Sequence, residues 1–205
     1  MIRNVLTALT AIPFVLFVVD GPRPAAAEMA SPAESLAQKV LGREDAPVTM
    51  YAFESMTCPH CAAFHRETLG KLKEEYIDTG KLKLVYVEFP LDARAMAASM
   101  LARCTAKNRF FGMVEILFHN QRKWATAQDF HAAMLQMSKV GGLTDSEFES
   151  CMKNEALYNS IRQNQAEAQK EHDVHSTPTF VINGTKVVGA QPFEEFDKII
   201  KPLVN

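Results

Sequence analysis

Chemistry is concentrated in one tetrapeptide, Cys58-Pro59-His60-Cys61. Two cysteines with two residues between them can close a small disulfide ring. Proline is favoured in the first helical turn, so Pro59 predicts a helix opening here with Cys58 at its N-cap. Free backbone N–H groups and the positive end of the helix dipole then face the Cys58 sulfur. Pro59 lacks an N–H, which leaves those of His60 and Cys61 as donors. A thiolate is stabilised in such a setting and its pKa falls. The His60 imidazole adds a second donor or a positive charge beside the same sulfur. Both effects favour the dithiol, which makes the disulfide the oxidising state. Cys61, one turn further in, is expected to be buried and less reactive.

Three other readings compete. A purely structural Cys58–Cys61 bond closes too little chain to stabilise much. The two thiols, with His60 or His65, could bind zinc or copper, but a closed zinc site needs a second ligand pair, and none stands at the usual spacing. Two free buried thiols fit poorly with an exported chain. No organic cofactor or metal is expected.

A second feature lies far downstream, at Ser176-Thr177-Pro178-Thr179. A proline opening the apolar run Phe180-Val181-Ile182 suits a cis bond that turns the chain, although most such prolines are trans and merely start a strand.

The elements that must position these residues are legible in outline. The chain has 205 residues, 47% hydrophobic and 22% charged, which describes an ordinary folded domain. Its net charge of -2 and pI of about 6.3 carry no electrostatic footprint for nucleic acid. Residues 1–27 read as an export signal: Arg3, then the apolar run Val5–Val19, then Ala25-Ala26-Ala27. That run is shorter than the roughly 20 residues a membrane span needs, which favours a cleaved signal over the alternative, an uncleaved N-terminal anchor. Export leaves residues 28–205 as the mature domain, in a compartment where disulfides persist.

Within it, Val48–Phe53 reads as a buried strand, and a helix runs from Cys58-Pro59 to about Tyr76. Leu82–Phe89 is a second strand, so the unit is βαβ with parallel strands. From Ala93 to Glu171 the pattern is helical throughout. Gly141-Gly142 breaks this block and Thr144-x-x-Glu147 forms a capping box. Strands return at Thr179–Ile182 and Lys186–Val188 around the hairpin signal Asn183-Gly184, and a last helix follows Pro192. The expected fold class is α/β: βαβ, an all-helical insertion over about 93–171, then ββα.

Cys104 and Cys151 both fall in the insertion. In an exported chain they most simply pair with each other; two isolated buried thiols are the alternative. Met96, Met100, Met113, Met134 and Met137 read as core filler, and Trp124 as packing within the insertion. His65, His119, His131, His172 and His175 read as ordinary surface or core residues.

Taken together, these features resemble the DsbA family of exported bacterial thiol:disulfide oxidoreductases, which have a thioredoxin fold with a helical insertion. The resemblance spans about Val40 to Val204 and includes the lead-in Leu41-Gly42-x-x-x-Ala46-Pro47-Val48. It implies that Pro178 is cis and faces the Cys58–Cys61 pair, and that Thr177 offers its backbone to a substrate strand. It implies oxidation of reduced exported client proteins in the periplasm, with a membrane quinone-linked partner restoring the disulfide. A reductase or isomerase using the same site is the runner-up. Such enzymes are commonly dimers with an added segment, and Glu28–Val40 is too short for one, so a monomer is expected. Some family members bury an acid beneath the pair in the first strand; Glu54 stands out of register with that position.

Overall fold

The structure, a computed structural model, describes residues 29–204. The export signal expected over residues 1–27 lies outside the described residues. Five strands form one sheet: β1 (Lys39–Leu41), β2 (Val48–Glu54), β3 (Leu82–Glu88), β4 (Thr179–Ile182) and β5 (Thr185–Val188), in the spatial order β1-β3-β2-β4-β5. The pair β2 and β3 is parallel, with Val48 opposite Leu82 and Glu54 opposite Glu88. The other pairings are antiparallel. This is a thioredoxin fold, and helices fill the interval between β3 and β4.

Register is what assembles the site. Central β2 buries Val48, Met50, Ala52, Phe53 and Glu54, the near-continuous burial of a strand covered on both faces. Its last paired residue toward β4, Phe53, lies opposite Thr179, the residue after Pro178. The end of β2 and the start of β4 therefore bring both sequence features to one edge of the molecule. The Asn183-Gly184 turn fixes β4 against β5: both residues have positive φ, 43° and 91°, the combination that closes a two-residue hairpin with the twist of its strands.

The helix after Cys58 is less regular than its apolar spacing suggests. It divides into α2 (Pro59–Glu67), α3 (Leu69–Leu72) and a π turn over Lys73–Ile77. Thr68, where the break falls, donates its hydroxyl to the Gln191 carbonyl at 3.0 Å, and the π turn lets adjacent Tyr76 and Ile77 both point inward. Phe64 anchors α2. Its ring lies 4.4 Å from that of Phe180 on β4, and Phe180 in turn lies 5.0 Å from Phe196 on the last helix, Phe193–Ile200.

Two short elements at the start have little sequence signal. Ser31 and Glu34 form a capping box that opens α1 (Pro32–Leu36), and β1 pairs on the free edge of β3, with Val40 opposite Val85. The insertion comprises α4 (Ala93–Cys104), α5 (Phe110–His119), α6 (Gln121–Ala125), α7 (Phe130–Val140), α8 (Asp145–Met152) and α9 (Glu155–His172). The break between α5 and α6 falls at Asn120, whose side-chain amide donates back to the Ile116 carbonyl at 2.9 Å. The capping box Thr144–Glu147 opens α8.

Two links tie the insertion together and to the sheet. Arg103 of α4 makes a bidentate bond to Glu88 of β3, at 2.5 and 2.7 Å, with both side chains buried. Cys104 of α4 and Cys151 of α8 are disulfide-bonded across a sequence separation of 47. A loop of that length is worth about 4 kcal/mol in the chain-entropy treatment. The Cys104→Ala, Cys151→Ala double variant is expected to lose stability of that order in denaturant unfolding, with the thiol chemistry of Cys58 unchanged. A loss below about 1 kcal/mol would show that the loop is already restrained in the unfolded chain.

Candidate active site

Cys58 stands at the N-cap of α2 with φ −74° and ψ 120°, and Pro59 follows at the first helical position. Both cysteines of the motif are free thiols, and both are buried: Cys58 is 6% exposed and Cys61 is fully enclosed. Pro59 and His60 are exposed between them. The Thr177–Pro178 peptide is cis, and it brings the Thr177 carbonyl to 3.2 Å from the Cys58 sulfur, which donates to it. Cys58, Cys61, Thr177 and Pro178 thus form one cluster, although β3 and the whole insertion separate its two halves in sequence.

The two sulfurs experience opposite surroundings. Cys58 is pulled down to about 5, first because the Cys61 thiol donates to its thiolate. Burial opposes this, and the Thr177 side chain and the main-chain N–H groups of Cys61 and His60 reinforce it. The Thr177 hydroxyl is buried and has no other partner among the described residues, so a thiolate at Cys58 satisfies it. His60 contributes its main-chain N–H here, and its side chain is exposed. Cys61 is pushed the other way, far above the ordinary thiol range, by burial and then by the Cys58 thiolate and the charge of Glu54.

Glu54 requires a correction. It was expected to be out of register with a buried acid beneath the pair, yet it ends β2 with 1% exposure and acts electrostatically on Cys61. Counting by twos from Val48 through Met50 and Ala52 arrives at Glu54, so strand alternation itself sets this carboxylate on the inward face. Its partner is His65, one turn beyond Cys61 on α2, with Nε2 at 2.7 Å from Oε2 and both side chains nearly inaccessible. The His65 ring stacks on Phe118 of α5 at 4.2 Å. His65 is therefore part of the layer under the pair rather than an ordinary core residue. Spacing alone could have suggested this, since residues four apart on a helix share a face.

The remaining histidines stand elsewhere. His131 pairs with Glu149 and His175 with Asp173, both exposed, and His119 bonds the Glu115 carbonyl of its own helix. His172 stacks on Tyr51. Met96, Met100, Met113 and Met134 are buried in the core, with Met137 packed against it. Trp124 is buried and donates to the Leu117 carbonyl at 2.8 Å. Among the described residues, no three His, Cys, Asp or Glu side chains gather as metal ligands, and no helix is long and apolar enough to cross a membrane.

The family model described as Thioredoxin matches residues 34–202. A putative protein-disulfide oxidoreductase of Rickettsia bellii is 31% identical over 148 residues, covering 72% of this chain and 57% of its own length. The chain thus spans little more than half the length of the rickettsial relatives it matches. A probable disulfide bond formation protein D of Bacillus cereus is 28% identical over 175 residues, 81% of this chain and 77% of that one. Among solved structures, alpha-DsbA1 of Wolbachia pipientis superposes with a TM-score of 0.76 at 28% identity, covering 82% of this chain and 90% of that chain.

The opposed thiols predict a pH signature. With Cys58 ionised above about 5 and Cys61 protonated, reducing the pair takes up one proton for two electrons. The reduction potential of the pair should fall by about 30 mV per pH unit between pH 6 and 8, the tenfold-per-unit slope of a two-electron couple. A slope of about 60 mV, two protons per pair, would mean that Cys58 stays protonated. Redox titration at stepped pH measures it.

Proposed function

The chain belongs to the thioredoxin family and to its DsbA-like branch, and on that premise we propose that it is a protein thiol:disulfide oxidoreductase that donates a Cys58–Cys61 disulfide to reduced client proteins. The observation that carries this reading is the contrast within the pair, one thiol drawn down to about 5 and its neighbour pushed up. Thiolate stabilisation favours the reduced form, which makes the oxidised form a donor.

The chemistry balances in two exchanges. A client thiolate attacks the Cys58 sulfur, the Cys58–Cys61 bond breaks, and Cys61 leaves and takes a proton. The client's second thiolate then attacks the client sulfur of the mixed disulfide, and Cys58 departs as the thiolate. The client has lost two electrons and the pair has gained them. Departure is fast because a low-pKa thiol is a good leaving group. Client strands dock beside Thr177 and Pro178, whose backbone already approaches Cys58.

The setting belongs to the same proposal: an exported, periplasmic monomer, acting on exported clients and reoxidised by a membrane quinone-linked partner. A reductase or isomerase would use these residues in the opposite sense, and a measured potential against glutathione separates the two. A copper or zinc carrier built on the two thiols would instead purify with stoichiometric metal.

Positional asymmetry makes the variants distinguishable. Cys58→Ser is expected to abolish thiol oxidation, and Cys61→Ser to accumulate mixed disulfides with clients, read on non-reducing gels. Trapping by Cys58→Ser would reverse the assigned roles.

His60→Ala is expected to leave the fold intact, because the side chain is exposed, while raising the Cys58 pKa and lowering the reduction potential. Part of the depression should survive, since the helix end remains. Thiolate absorbance and glutathione titration beside wild type read both; unchanged values would assign activation of Cys58 to the backbone alone.

A further inference from the structure

The loop that presents Cys58, residues 55–58, is braced from three directions. Its own turn closes with Cys58 N–H donating to Ser55 O at 3.0 Å. From the β3–α4 connection, Leu91 N–H donates to Ser55 Oγ at 3.3 Å, and Asp92 accepts from Thr57 Oγ1 at 2.6 Å. The third brace comes from the helical insertion. Gln121, the first residue of α6 and 6% exposed, places its side-chain nitrogen 2.8 Å from Met56 O and 2.9 Å from Cys58 O, donating to both. Met56 is fully buried, so its carbonyl depends on a protein donor. Cys58 O also accepts from Ala62 N–H, the bond that starts α2.

We propose that Gln121 is a positioning residue for the redox pair: by clamping the two carbonyls that flank Thr57, it fixes the backbone of Cys58 and holds its sulfur over the first N–H groups of α2. A primary amide suits the task because its one nitrogen carries two hydrogens, one for each carbonyl. The break at Asn120 serves the same end, since it starts a new helix at the position from which this side chain reaches the loop. Trp124 in turn seats α6 on α5 through its bond to Leu117 O. The insertion is thereby a working part of the site. A shift of α6 relative to the sheet would move the Cys58 backbone, and a change in the pair's redox state would be felt in α6.

This inference rests on Cys58 being the reactive thiol of the proposed oxidoreductase, and the experiment separates the two. Wild-type protein is first assayed for client thiol oxidation; no activity there would sink the proposed function. With wild type active, Gln121→Met keeps length and apolar volume but removes both donors. The titratable groups around Cys58 stay in place: His60, Cys61 and His65 on α2, Glu54 on β2 and Asp92 beyond β3. The Cys58 pKa, read by thiolate absorbance, is expected to rise by about one unit, with about a tenfold shift of the glutathione equilibrium away from the dithiol. A glutamine that only supported the fold would lower the unfolding midpoints of the oxidised and reduced forms equally and leave the pKa unmoved, and that result overturns the proposal. Should the variant fail to fold, the native protein still decides. The Gln121 side-chain amide resonances are expected to shift on reduction and to titrate with the Cys58 thiol; resonances indifferent to both refute the clamp.

Discussion

Everything at this site follows from the unequal treatment of two sulfurs one helical turn apart. Backbone geometry at a helix start supplies donors to whatever occupies the cap, and here the occupant is Cys58. The next turn points inward, and there Cys61 meets apolar packing and a carboxylate. A sulfur that is content as an anion beside one that resists becoming an anion is a directional arrangement. On the proposed function, it distinguishes the atom that is attacked from the atom that is expelled, although the residues are chemically identical. The remainder of the molecule maintains that inequality: Phe64 fixes the depth of α2, Glu54 and His65 fill the layer below, and the Thr177 backbone limits access from above.

The sheet makes this economical. Parallel pairing of β2 with β3 requires a crossover, and the crossover is α2 itself. Antiparallel pairing of β2 with β4 sets Thr179 beside Phe53, so Pro178 meets the end of the strand from which the Cys58 loop departs. No long side chain is needed to unite the two halves. A one-residue slip of β4 would turn Phe180 away from Phe64 and displace Thr177 from Cys58, so the hydrophobic core and the site specify the same register.

What the sequence discloses divides along range. Pro59 after Cys58, Asn183-Gly184 and the Thr144–Glu147 box are local devices, and each occupies the structural position its chemistry implies. β1 is three residues long and exists because β3 has a free edge, which nothing within Lys39–Leu41 announces. The Glu54–His65 pair joins a strand end to a helix face 11 residues later; alternation from Val48 turns Glu54 inward, but nothing within either element announces the other as its partner. Gln121 bonds carbonyls 65 and 63 residues away, and a glutamine between helices carries no composition signal at all. Such contacts are set by how α6 lies against the loop, which is a tertiary fact.

The Cys104–Cys151 bridge has a consequence for the molecule's own beginnings. Both sulfurs end up almost wholly enclosed, at 3% and 1% exposure, between α4 and α8. A freshly made chain carries them as thiols and can be oxidised by a large reagent only before those helices close. At that moment the nascent protein is, on the proposed function, a client like any other, and a finished copy is competent to serve it. The population would then mature by seeding, each completed molecule shortening the wait of the next.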